Sequence, residues 1–182
     1  MNVKHWVRRN VLDRPLSRWL AKYFAQQLKL GITMDTYCEA YITRKDGKVE
    51  WLTPKKGVHN TVHTDGIDQV IAQISGTPGA AFTYIALTNN GDAPAAGDTA
   101  LTGEINNDNG GGRAAGSYSH TNDTATWAVS KTFTATNSGF TVQKSGLFNA
   151  ASGPVMLCSA TFTSAVLSSG DTLTVNWNGT IS

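Results

Sequence analysis

The stretch "TLTVNWNGTI", residues 172–181, decides the fold. Leu173, Val175, Trp177 and Ile181 fall on one side of an extended chain. Thr172, Thr174, Asn176, Asn178 and Thr180 fall on the other. A period of two with one apolar and one polar face marks an antiparallel strand packed on one side. "TATWAVSKTFTA", 124–135, repeats the pattern, with Trp127, Val129 and Phe133 against Thr126, Ser130, Thr132 and Thr134. "AFTYIALT", 81–88, is a further strand. "SGLFNAASGPVMLCSATF", 145–162, reads as a hairpin that turns at "ASGP" and returns with Met156, Cys158, Ala160 and Phe162 on one face. Turn-forming clusters separate these runs: "NNGDAPAAGD", 89–98, and "INNDNGGGRAAG", 105–116, the second expected to be a mobile loop. The pattern predicts a mainly β protein, an antiparallel β-sandwich of jelly-roll or Ig-like type.

The front of the chain has a different character. Leu16, Trp19, Leu20, Tyr23, Phe24 and Leu28 recur at helical spacing, so 14–30 is predicted helical. Asp13 can cap it, and Gly31 suits its end. Trp6, Val7 and Val11 suggest a shorter helical piece before it. Residues 37–52 are predicted to form a hairpin, with "YITRKDGKVEWL", 41–52, placing a two-residue Asp46-Gly47 turn between two β-prone runs, and "TPKKG", 53–57, a linker. Thr64 can cap a short helix with Ile67, Val70, Ile71 and Ile74 on one face. The change of composition near 75–80 places a boundary there, with an anchoring region over 1–75 and the sandwich over 76–182.

Charge divides the chain as well, into a basic front and an acidic back. Residues 1–60 carry 12 Lys+Arg and 5 Asp+Glu, or +7; residues 61–182 carry 3 and 8, or −5, giving +2 for the 182-residue chain. A basic front implies an acidic partner surface. Its aromatics lie on the apolar stripe, where packing on protein explains them better than stacking on bases, so direct nucleic-acid binding is not expected. No apolar run approaches the ~20 residues that cross a bilayer, and the Arg- and Trp-rich start does not read as a signal peptide. A membrane partner is not expected either. The arm is expected to dock on a neighbouring subunit through Trp6, Arg8, Arg9, Arg18, Trp19, Leu20, Lys22, Tyr23 and Phe24.

Nothing in the pattern calls for catalysis. No G-x-S-x-G elbow surrounds Ser145 or Ser152, and "GGGR", 110–113, lacks the ending of a phosphate-binding loop. His59 and His63 have a spacing that would chelate a metal on a helix, but no third ligand adjoins them. They read as surface histidines ahead of a helix cap. Asp92, Asp98, Glu104, Asp108, Asp123 and Asp171 fall mostly in predicted turns, where aspartate bonds its own backbone. Cys38 and Cys158 are expected as two reduced, buried thiols. No catalytic residue, cofactor or metal is expected. A sugar-binding sandwich is an alternative, with Trp127 or Trp177 stacking on the ligand, although both sit on the apolar side of their strands.

The succession "FTYIALT", "APAAGDTALTGEI", Arg113, "TWAVSKTFTA", "GLFNAASGPVMLCSATF" and "LSSGDTLTVNWNGTI" resembles a family of small virion structural proteins of tailed bacteriophages. These are described as capsid decoration, head or tail-fibre-like proteins. The resemblance covers about residues 80–182; "LTNNG", 87–91, departs from the family's Gly-Thr-rich turn. It implies a β-sandwich assembled in multiple copies in the virion, without catalysis. The expected protein is a capsid decoration protein and homo-oligomer whose partners are the major capsid protein or tail proteins. A tail, baseplate or fibre-attachment subunit is the alternative.

Overall fold

The computed structural model describes residues 34–74, 76, 79–153 and 155–181. The arm residues expected at the interface, Trp6 through Phe24, lie outside the described residues, as does the helix expected over 14–30. Among the described residues, eleven strands form two sheets in which every pairing is antiparallel. The first sheet contains β1 (Met34–Thr43), β2 (Val49–Trp51), β3 (Val58–His59), β7 (Ser117–His120), β8 (Thr126–Thr134) and β11 (Thr172–Ile181). Its order is β2-β1-β11-β8-β7, with β3 also on β1. The second sheet, in the order β4-β10-β9-β5-β6, contains β4 (Thr61–Val62), β10 (Met156–Leu167), β9 (Phe140–Phe148), β5 (Tyr84–Thr88) and β6 (Ala114–Ala115).

The alternating runs form the strands expected of them. Leu173, Val175 and Trp177 of β11 and Val129 and Phe133 of β8 are buried in one core with Cys38, Ala40 and Ile42 of β1. Ile85, Leu87, Val142, Leu147 and Ala160 of the second sheet belong to the same core. Trp177 is fully buried, and its indole N–H donates to Ser145 Oγ at 3.4 Å, tying the two sheets together. Cys38 and Cys158 are free, buried thiols. Burial is the largest cause raising both thiol pKa values; for Cys38 the neighbouring Cys158 adds to it.

Several expectations are corrected. Residues 34–74 belong to the sandwich: β1 pairs with β11 over ten residues, and the chain divides at 33/34, not 75/76. The hairpin after β1 turns through three residues, Lys45-Asp46-Gly47, with Gly47 N–H donating to Arg44 C=O at 2.8 Å and Arg44 N–H to Lys48 C=O at 2.8 Å. Met156 does not share a face with Cys158. A bulge between them turns Met156 to the far side of the second sheet, into a separate cluster with Ala86, Leu101 and Phe148.

That second cluster accounts for "INNDNGGGRAAG" as well. Instead of hanging free, the segment forms a 3₁₀ turn, Asn107–Asn109, followed by β6. The Arg113 guanidinium lies 3.6 Å from the Phe148 ring centroid and holds Glu104 through two bonds of 2.8 and 2.6 Å. It also donates to the carbonyls of Ala150 and Gly153, so one side chain ties the β5–β6 connection to the β9–β10 turn. Asp171 shows the local bonding expected of turn aspartates. It accepts from the Ser168 and Lys45 amides at 3.0 and 2.9 Å, and from Arg44 at 3.0 Å. The Ser168 amide is the largest influence holding its pKa below the ordinary value, with burial opposing.

The predicted short helix exists as α1 (Thr64–Ile74), and of its apolar stripe Val70 packs against the core while the three isoleucines do not. Gly66 is the buried position, because a Cβ there would lie 2.5 Å from Leu157 Cα. That close approach turns the Gly66 side towards β10 and leaves Ile67, Ile71 and Ile74 exposed. The two histidines ahead of α1 have opposite surroundings. His59 is exposed, 3.4 Å from Asp35, whereas His63 is fully buried. His63 Nδ1–H donates to the Ala95 carbonyl at 3.0 Å, which makes Nε2 the acceptor for Ser159 Oγ–H at 2.9 Å.

This buried neutral imidazole has a pH signature. Burial pushes its pKa down, against the opposing pull of the Ala95 carbonyl and Asp98. The unfolded chain takes up this proton at about pH 6.5, before the folded chain does. The stabilisation is therefore complete above that pH and falls as pH drops from there towards the lower folded value. Urea midpoints measured from pH 8 to pH 5 should show a decline beginning near 6.5, and His63→Gln should remove that component. An unchanged decline in the variant would assign it elsewhere.

Candidate ligand-binding face

The alternation in "TYCEAYIT", 36–43, sends Cys38, Ala40 and Ile42 inward, so Tyr37, Glu39 and Tyr41 lie on the outer face of the first sheet. Trp51 of β2 pairs with Tyr41, and the two rings sit 4.9 Å apart at 43°. Tyr37 is fixed from behind: a Cβ on Gly57 would come within 2.7 Å of its ring. Gly57 also has φ +80, so this close backbone approach requires glycine.

Register carries a row of outward residues from Tyr37 across four strands, through Asn178 and Ala128 to Ser119. The neighbouring outward row pairs Thr180 with Thr126. Ala128 is the smallest side chain in its row. Around it lies an open groove of about 300 Å³, walled by Tyr37, Ser119, His120, Thr126, Asn178 and Thr180.

The groove differs from the adjoining surface in how its polar groups are used. One row away, Ser130 Oγ donates to Asn176 Oδ1 at 2.7 Å, and Asn176 Nδ2 reaches Glu39 at 3.4 Å. Thr132 and Thr174 bond each other at 2.9 Å. That part of the face is closed on itself. Among the described residues, the side chains of Asn178, Ser119 and Thr180 have no such partner and remain available to a ligand. His120 Nδ1–H donates to the Thr126 carbonyl at 2.7 Å, which orients the ring and leaves Nε2 free to accept. No Lys or Arg lines the groove.

A second cavity of about 300 Å³ is apolar and lies near the start of β1, between Met34, Val70, Phe82, Tyr118, Trp127 and Ile181. Tyr118 and Ile181 are exposed there. Trp127 is half-buried and packs across Gly179, while Trp177 is within the core. Trp177 is not an outward platform, and Trp127 only borders the groove; beside it the outer face carries the half-buried Tyr37 and Tyr41 and the exposed Trp51, while Tyr118 is exposed at the second cavity. Their signal was present in the alternation Tyr37-Glu39-Tyr41, but it served only to identify a hairpin. Among the described residues, no group of three His, Cys, Asp or Glu is placed to hold a metal ion. No helix among them is long and apolar enough to cross a membrane.

Comparison with protein families, curated proteins and solved structures finds no match to this chain.

Proposed function

We propose that this chain is a non-enzymatic structural component of a tailed-bacteriophage virion, a capsid decoration protein assembled in many copies. Its sandwich, Ig-like or jelly-roll in type, is the displayed body. Residues 1–33 attach it to the major capsid protein or to a neighbouring copy. The observation that carries the reading is the partition of charge at the 33/34 division of the chain. Residues 1–33 hold 7 Lys+Arg and 1 Asp, or +6, and residues 34–182 hold 8 Lys+Arg and 12 Asp+Glu, or −4; together these give the chain's +2. A cationic aromatic segment joined to an acidic body favours contact with other acidic protein surfaces over self-contained solubility. The exposed Ile67, Ile74, Tyr118 and Ile181 add apolar surface suited to packing between copies. The sequence resemblance over about 80–182 supports the same class.

The test is deletion of residues 1–33. Virions assembled with the truncated chain should lack it, while the isolated truncated chain keeps the far-UV spectrum and cooperative unfolding of a β-sandwich. Full occupancy of the truncated protein on particles would refute attachment through this segment. Its position on the particle by electron microscopy separates a shell site from a tail, baseplate or fibre site.

A further inference from the structure

We infer that the outer face of the first sheet binds an uncharged oligosaccharide, seated in the Tyr37–Asn178–Ala128–Ser119 groove and extending along β1 over Tyr41 and Trp51. This goes beyond virion assembly and does not depend on the arm.

Three observations support it. The groove's free groups are an amide and several hydroxyls, which donate and accept at once, as sugar hydroxyls do. Asn178 alone offers two donors and an acceptor oxygen beside the Tyr37 ring, the strand neighbour it pairs with. An aromatic face takes up the apolar C–H side of a sugar while the amide and hydroxyls bind its rim. Second, Tyr41 is four residues along the same strand from Tyr37, or about 14 Å at ~3.4 Å per residue. That spacing exceeds a single sugar ring, so the ligand is an oligosaccharide. Third, the charges select against anions. No Lys or Arg lines the groove, while Asp35 and Glu39 are the outward residues of β1 on either side of Tyr37. Acidic glycans and nucleic acids meet no cation and two flanking carboxylates. A peptide adding as a strand would need an open sheet edge, and the groove floor, Asn178 and Ala128, belongs to β11 and β8, each paired on both sides, with only Ser119 on the edge strand β7. With Tyr37 held against Gly57, little order has to be acquired on binding.

The experiment uses the full chain on a printed array of neutral hexasaccharides (gluco-, manno- and galacto-configured, and N-acetylglucosamine) beside uronate and sialylated chains. The strongest neutral binder is then titrated into 15N-labelled protein. The expected result is binding of at least one neutral chain, with shifts at Tyr37, Asn178, Ser119 and the Trp51 indole. Asn178→Ala should weaken binding about tenfold, and Ala128→Phe, which fills the groove, should abolish it. Trp51→Ala should weaken the hexasaccharide but not the disaccharide. No neutral binder, equal binding of acidic chains, or shifts confined to another surface would overturn the proposal. So would full affinity in a folded Asn178→Ala protein. If Ala128→Phe does not fold, the shift map and Asn178→Ala decide alone. Because isolated protein is used, a negative result leaves the virion reading intact, and failure of the deletion test leaves this one intact.

Discussion

Trp177→Ala should lower the unfolding free energy by about 4 kcal/mol, within the range for removing a fully buried large aromatic. The indole lies in the core shared by both sheets, and its N–H is held by Ser145 on the opposite sheet. Truncation therefore opens a cavity between the layers and also leaves the Ser145 hydroxyl without its donor. For a domain whose whole stability is about 5–15 kcal/mol, that is a large share. Urea unfolding followed by circular dichroism gives the number, with Trp127→Ala as the internal comparison. Trp127 is half-buried at the end of the same sheet, and its loss should cost clearly less. Equal costs for the two variants would contradict the assignment of Trp177 as the tie between the sheets.

The second large effect is expected at Gly139, in the turn from β8 to β9. Its φ is +73, its N–H donates to Thr136 C=O at 2.8 Å, and a Cβ there would overlap the Leu167 carbonyl oxygen at the end of β10. Gly139→Ala combines left-handed strain of about 1–2 kcal/mol with overpacking against backbone, typically about 1–3 kcal/mol. A loss of about 3 kcal/mol is expected. Gly47 provides the control, since it has a similar φ with open space around it. Gly47→Ala should show the conformational part alone. If the two glycine variants unfold at the same urea concentration, the contact with Leu167 contributes nothing.

The strands most readily found from sequence were those whose alternation runs without interruption. In β8 Trp127, Val129 and Phe133 and in β11 Leu173, Val175 and Trp177 take the expected side. Met156 was misplaced because a bulge changes the parity within one strand, and parity is all that an alternation argument has. The α1 stripe is legible as a helix, but not the face that the helix buries. Its period is helical, but the face it buries is chosen by Gly66 approaching Leu157, a contact between residues 91 positions apart. "INNDNGGGRAAG" looked unattached because its clamp, Arg113 on Phe148 and Glu104, is also non-local. The groove was the least legible feature. Tyr37, Asn178, Ala128 and Ser119 come from four strands, and only the register of three pairings sets them side by side.

The full-length pairing of β1 with β11 has a practical consequence. Met34 is opposite Ile181, while Thr43 and Thr172 meet at the other end, about 30 Å away at ~3.4 Å per residue. A peptide epitope fused after Ile181 would crowd the root from which residues 1–33 depart. The same epitope inserted at the Asp46-Gly47 tip would project from the far end, at a loop that buries no core side chain. As a scaffold for presenting foreign sequences, the molecule offers its hairpin, not its tail.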